Sequence, residues 1–79
     1  MRKKPIFKNG DIVKYNSEKM SEFLNYAKNN PGARLPICKL KIYRDPEWSD
    51  KFNTWIYDYE YDFTSEGSAI ETDLVLYKY

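Results

Sequence analysis

The chain reads as a small, mainly β domain, α+β by content, with about five antiparallel strands and one helix inserted after the first strand. Three observations predict this. Residues 55–63, WIYDYEYDF, place an aromatic at every second position with carboxylates between, the alternation of a half-buried strand. Residues 37–43, ICKLKIY, alternate in the same way. Ahead of them Met20, Phe23, Leu24 and Ala27 recur at i, i+3, i+4 and i+7, one apolar stripe of a helix.

The elements follow in order. Asn9-Gly10-Asp11 forms a turn, and a short strand runs from Ile12 to Tyr15. A helix occupies 17–29, with Ser17 as N-cap and Glu18 at the positive end of the helix dipole. Asn29-Asn30-Pro31-Gly32 stops it. Strand 37–43 turns Cys38, Leu40 and Ile42 to one face and Lys39 and Lys41 to the other. Residues 44–51 contain Asp45-Pro46 and Ser49-Asp50, the composition of a loop. The long strand then directs Trp55, Tyr57, Tyr59, Tyr61 and Phe63 inward and Asp58, Glu60 and Asp62 outward. A turn over 65–68, a short Ala69-Ile70 segment, a bend at Glu71-Thr72-Asp73 and a last strand over 74–77 complete the chain.

One antiparallel register satisfies both faces of the two alternating strands. With Ile42 opposite Tyr57, Leu40 meets Tyr59 and Cys38 meets Tyr61 on the apolar side. The same register sets Lys41 against Asp58 and Lys39 against Glu60, and a slip of one residue would ruin both faces.

Seventy-nine residues make a single domain, 1–79, near the size at which one core only just offsets chain entropy. Cys38 is the sole cysteine and histidine is absent, so neither an intrachain disulfide nor a four-ligand Cys/His zinc site can form. Stability is therefore expected from packing of the eight Tyr, four Phe and two Trp. A lone thiol suits a reducing compartment, so a cytoplasmic location is expected. The opening MRKKPIFKNG is basic and lacks the apolar run of a signal peptide, and no segment is apolar enough to span a bilayer. Residues 1–8 are expected to form a flexible basic arm.

The net charge of +1 hides an asymmetry. Residues 1–44 carry eleven basic and three acidic side chains, and residues 45–79 carry two basic and nine acidic ones. The two halves either neutralise each other across one sheet or present a basic face and an acidic face to partners.

Enzymatic chemistry is disfavoured by residue type. Without histidine there is no ordinary Ser-His-Asp or Cys-His arrangement and no imidazole base near neutral pH. Glycines at 10, 32 and 67 are too scattered for a phosphate loop. Cys38 is expected to be a buried, inert thiol. No catalytic residue, metal or cofactor is expected.

Lys8, Gly10, Asp11 and Val13 at the start, a central strand with Trp-x-Tyr, and Ile70, Glu71 and Leu74 near the end resemble a small SH3-like β-barrel. In that fold the first group opens strand one, and the last forms a single 3₁₀ turn before the closing strand. The helix stands where the first long loop would be. The letters YDYEY are similar to the ALYDY segment of peptide-binding SH3 domains, but they fall too late in the chain to be that segment. Small domains of this kind recur among phage and prophage proteins. The resemblance thus implies a non-enzymatic protein–protein interaction module, an accessory or modulator of a host protein. The free sheet edge expected beside the last strand, DLVLYKY, allows a monomer or a weak homodimer, with Lys78 opposing association.

Three surfaces are candidates. Trp48 ringed by Asp45, Glu47 and Asp50 is either an interface anchor or a lid folded over one end of the barrel. The carboxylate stripe Asp58, Glu60 and Asp62, with Glu66, would mimic phosphates if left uncompensated. The alternative function is nucleic-acid binding through Arg2, Lys3, Lys4, Lys8 and Lys14, with Arg34 and Arg44 nearby in sequence.

Overall fold

A computed structural model describes residues 4–33, 35–62 and 65–78. It contains β1 (Ile12–Tyr15), α1 (Ser17–Asn29), β2 (Leu40–Ile42), β3 (Glu47–Ser49), β4 (Thr54–Tyr61), β5 (Ser65–Ile70), a 3₁₀ turn (Glu71–Asp73) and β6 (Leu74–Leu76). All strand pairs are antiparallel, and the helix follows the first strand, so the mainly β, α+β class holds. Among the described residues there are six strands, one more than expected. Arg2, Lys3, Arg34 and Phe63, named above as basic or core candidates, lie outside the described residues.

β4 is the spine of the sheet. One edge pairs with β5 along its length, from Ile56↔Ile70 to Tyr61↔Ser65. The opposite edge pairs first with β3 (Trp48↔Trp55) and then with β2 (Ile42↔Tyr59). β2 continues the sheet to β1 (Val13↔Leu40), and β1 to β6 (Tyr15↔Leu74). Each step leaves alternate residues on one side. That side buries Val13, Tyr15, Leu40, Ile42, Tyr57, Tyr59, Ala69 and Leu74 around Phe7.

The structure revises several expectations. The β2–β4 register is Ile42↔Tyr59 and Lys41↔Glu60, two residues from the expected pairing. A shift of two keeps every side chain on its expected face, so alternation alone could not choose between the registers. The choice comes from β3, which lies within the stretch read as a loop. From Ile42 to Glu47 the chain advances five residues while β4 advances three, and the surplus is taken up around Asp45-Pro46. Residues 65–68 are not a turn but the first four of the six residues of β5. Gly67 and three polar residues hide their strand character, yet they pair along the Asp58–Tyr61 end of β4.

β2 is shorter than ICKLKIY suggests, and Cys38 lies before it, exposed rather than buried against Tyr61. With the ladder beginning at Leu40, nothing holds residue 38 to the core face. The N-terminal arm is also shorter than expected. Phe7 is buried, its N–H donates to Tyr57 Oη (3.2 Å), and the Ile6 N–H donates to Glu71 Oε1 (2.9 Å). Phe7, three residues past the basic run Arg2-Lys3-Lys4, takes a place in the core.

Helix α1 is capped one residue earlier than predicted. Asn16 Oδ1 accepts the Lys19 N–H (3.0 Å), while Asn16 Nδ2 donates to the Thr72 carbonyl (2.9 Å) and its backbone N–H to that of Asp73 (2.8 Å). Asparagine carries its acceptor and its donors on separate atoms, so Oδ1 caps the helix while Nδ2 reaches the Thr72 carbonyl. Asn16 thereby ties the start of α1 to the 3₁₀ turn. The helix stripe is only partly used: Met20 and Phe23 pack against the core, whereas Leu24 stays 49% exposed.

Phenols supply the buried polar contacts. Tyr15 and Tyr59 hydroxyls share a hydrogen bond (2.7 Å), and Tyr57 Oη donates to Glu71 Oε1 (2.7 Å). Burial raises all three phenol pKa values above the ordinary 10.0, and the hydrogen bond to Glu71 raises Tyr57 further. A raised folded-state value means that the native state favours the neutral phenol. Its contribution to stability is complete below pH about 10 and is lost as pH climbs toward the folded values. We therefore expect cooperative alkaline unfolding, with the tyrosinate absorbance of these phenols appearing together with loss of β-sheet circular dichroism. Their titration while the fold persists would contradict this account.

Candidate functional site: an apolar cleft at the Trp48–Trp55 hairpin

β3 and β4 form a tight hairpin because its turn is built for reversal. Asn53 takes a left-handed conformation (φ 53°), which asparagine tolerates well, and Ser49 Oγ accepts the Phe52 N–H (3.2 Å). The turn projects Phe52 outward, 56% exposed. Behind it, Trp48 and Trp55 face each other across the hairpin, edge to face at 5.4 Å. Cross-strand aromatic pairs of this geometry stabilise a hairpin by about 0.5–1.5 kcal/mol beyond area burial. Trp48 Nε1–H donates to Asp50 Oδ1 (2.8 Å).

Two hollows adjoin at Phe52 and Ile70. One, of about 380 Å³, lies between Tyr15 and Phe23 on one side and Phe52, Ile56, Ala69 and Ile70 on the other, with Lys19 and Asp73 also lining it. The second, of about 330 Å³, is lined by Trp48, Phe52, Asn53, Thr54, Trp55, Ile70, Glu71 and Thr72. Together they form an apolar cleft with carboxylates Glu71 and Asp73 in its walls and Asp50 held at the Trp48 indole.

This arrangement settles the placement of Trp48. It is on a strand and half-buried, neither at a loop tip nor folded over the sheet as a lid. Asp50 joins it through the indole hydrogen bond, and Glu47 and Asp45 stay exposed on and beside β3. Asp58 and Glu60 are not brought to the cleft. Asp58 accepts from Ser68 Oγ (2.6 Å) and stands 3.6 Å from an Arg44 guanidinium nitrogen. Glu60 sits opposite Lys41, and Tyr43 Oη donates to Glu66 (3.1 Å). Within the carboxylate stripe, Asp58 thus has a cationic partner, Glu60 faces Lys41 by register, and Glu66 accepts a hydrogen bond from a neutral phenol.

Of the basic set, Lys4, Lys8 and Lys14 are exposed, with Lys14 on β1 opposite Val75. Among the described residues there is no cluster of three metal-ligating side chains, and no helix is long and apolar enough to cross a membrane.

Sequence reading missed Phe52, Ile56 and Ile70. The available signal was an aromatic and an Asn in the short span between two tryptophans, the pattern of a hairpin tip. Ile56 and Ile70 break the polar outer-face pattern of their strands, and directly opposite each other they form part of the cleft wall.

The fold and cleft define a class: a small α+β domain whose antiparallel sheet ends in an apolar, acid-flanked groove. No protein-family model, no curated protein and no solved structure matches the chain.

Proposed function

We propose that this chain is a non-enzymatic protein–protein interaction module that grips its partner at the Trp48–Phe52–Trp55 cleft. The observation that carries the reading is Phe52, a large aromatic held out by a structured turn between two hollows, one mainly apolar and one of mixed lining. Exposing it costs hydrophobic stabilisation that burial in the fold would supply, and an interface recovers that loss. Trp48 and Trp55 beside it are the residue type that dominates interface energetics. The resemblance to SH3-like domains of phage and prophage proteins supports an accessory or modulator of a host protein.

The test is affinity capture from bacterial lysate, with and without nuclease, using wild-type protein and Phe52→Asp. Phe52 contributes little to the core, so the variant keeps its fold by circular dichroism. We expect one stoichiometric protein retained with or without nuclease and lost, by at least tenfold, with Phe52→Asp. Retention that depends on nucleic acid and survives Phe52→Asp would overturn the proposal and move the function to Lys4, Lys8 and Lys14.

A further inference from the structure

Among the described residues β6 ends the sheet: it pairs only with β1, and its other edge has no strand beside it. Exposed edges in monomeric proteins are usually guarded by lysine, proline or a bulge. Here the edge strand is Leu-Val-Leu, with Val75 39% and Leu76 52% exposed. The pairing fixes which backbone groups point outward. Asp73 and Tyr77 bond to β1, since the Asp73 carbonyl accepts from Asn16 and the Tyr77 N–H donates to Ile12. Alternation therefore turns the N–H and C=O of Leu76, the carbonyl of Leu74 and the N–H of Lys78 away from β1. The Leu74 N–H is already spent on the Glu71 carbonyl in the 3₁₀ turn.

We propose that β6 is the interface for a second copy of this chain, paired antiparallel about a two-fold axis at Leu76. That register is selected by the backbone. Leu76 opposite Leu76 of the second copy makes two reciprocal hydrogen bonds, and each Lys78 N–H reaches the Leu74 carbonyl across the seam. Centring the axis on Val75 instead would put the spent Leu74 N–H into the central Leu74–Leu76 pairs, whereas the Leu76 axis leaves it only at the two ends of the seam. The selected register also sets Val75 beside Tyr77 of the second copy, a β-branched–aromatic cross-strand pair. The other edge strands among the described residues, β3 with Glu47 and Ser49 and β5 with Glu66 and Gly67, lack such a row of apolar side chains.

The experiment uses the full chain. Sedimentation over a rising concentration series should show the mass doubling and then holding. Leu76→Lys should weaken association roughly tenfold or more by placing like charges at the two-fold axis, with circular dichroism unchanged. In a Cys38→Ser background, Leu76→Cys should cross-link on mild oxidation, because hydrogen-bonded strand partners stand about 5.5 Å apart at Cα. Val75→Cys, whose copies are offset by two residues, should cross-link far more slowly. A wild-type chain that stays monomeric at every concentration overturns the proposal. So does equal cross-linking at 75 and 76, or open-ended growth, which would signify β6 adding to β5 of another copy.

Discussion

Gly67→Ala is expected to lower unfolding stability by about 2 kcal/mol, within the usual cost of overpacking a filled core. The sign is informative, because replacing glycine inside a strand ordinarily helps by restricting the unfolded chain. Here a Cβ at residue 67 would stand 2.7 Å from Tyr59 Oη and 2.9 Å from its Cζ. Tyr59 cannot swing away. It is 4% exposed, its hydroxyl is bound to that of Tyr15, and its ring lies edge-on to Tyr15 at 5.9 Å. Glycine opposite Tyr59 on β5 is what lets the phenol lie across the neighbouring strand. Urea titration of wild type, Gly67→Ala, Tyr59→Leu and the double variant checks this. The alanine penalty should shrink in the Tyr59→Leu background, since two residues in contact couple. A neutral or stabilising Gly67→Ala would refute the packing account.

The second large effect is expected at Tyr57. It is fully buried, packs edge-on against Phe7 at 5.3 Å, and its hydroxyl links the Phe7 N–H to Glu71. Tyr57→Ala should cost about 3–5 kcal/mol, the range for deleting a buried aromatic. A domain of this size has roughly 4–12 kcal/mol in total, so that variant lies at the edge of folding. Tyr57→Phe separates packing from bonding. It preserves the ring but leaves the buried Phe7 amide without its acceptor, for about 1–3 kcal/mol. Hydrogen exchange should show the loss concentrated at Ile6 and Phe7, because the hydroxyl and Glu71 together dock that segment. Unchanged protection there would mean that the segment is held by Phe7 burial alone.

Both predictions rest on residues whose identity, but not role, was visible in the sequence. Strict alternation in WIYDYEYDF placed Tyr57 and Tyr59 in the core and Asp58 and Glu60 outside it, because a pleated strand offers only two faces. The helix stripe, the Asn-Gly turn and the bend at Glu71-Thr72-Asp73 were legible for similar reasons, each being a local pattern of a few residues; that the bend is a 3₁₀ turn was implied only by the SH3-like resemblance. What alternation cannot supply is an even-numbered register shift, since moving two residues leaves every face unchanged. The two-residue offset between Ile42 and Glu47 was therefore invisible, and with it the fact that Trp48 faces Trp55.

The cleft was hidden for a related reason. Its walls come from Phe23 on α1, Phe52 on a turn, Ile56 on β4 and Ile70 on β5. No local window holds them together, and each alone reads as an ordinary apolar residue. Cys38 shows the converse limit: alternation assigned it a face, but a face exists only where the ladder does, and the ladder starts at Leu40. The sequence by itself thus determined the class of fold, the core face of each long strand and the absence of histidine chemistry, all properties of residue type and short-range period. Only the tertiary structure decided register, strand partners, the docking of Phe7 and the cleft, because these depend on contacts between distant residues that share no local pattern.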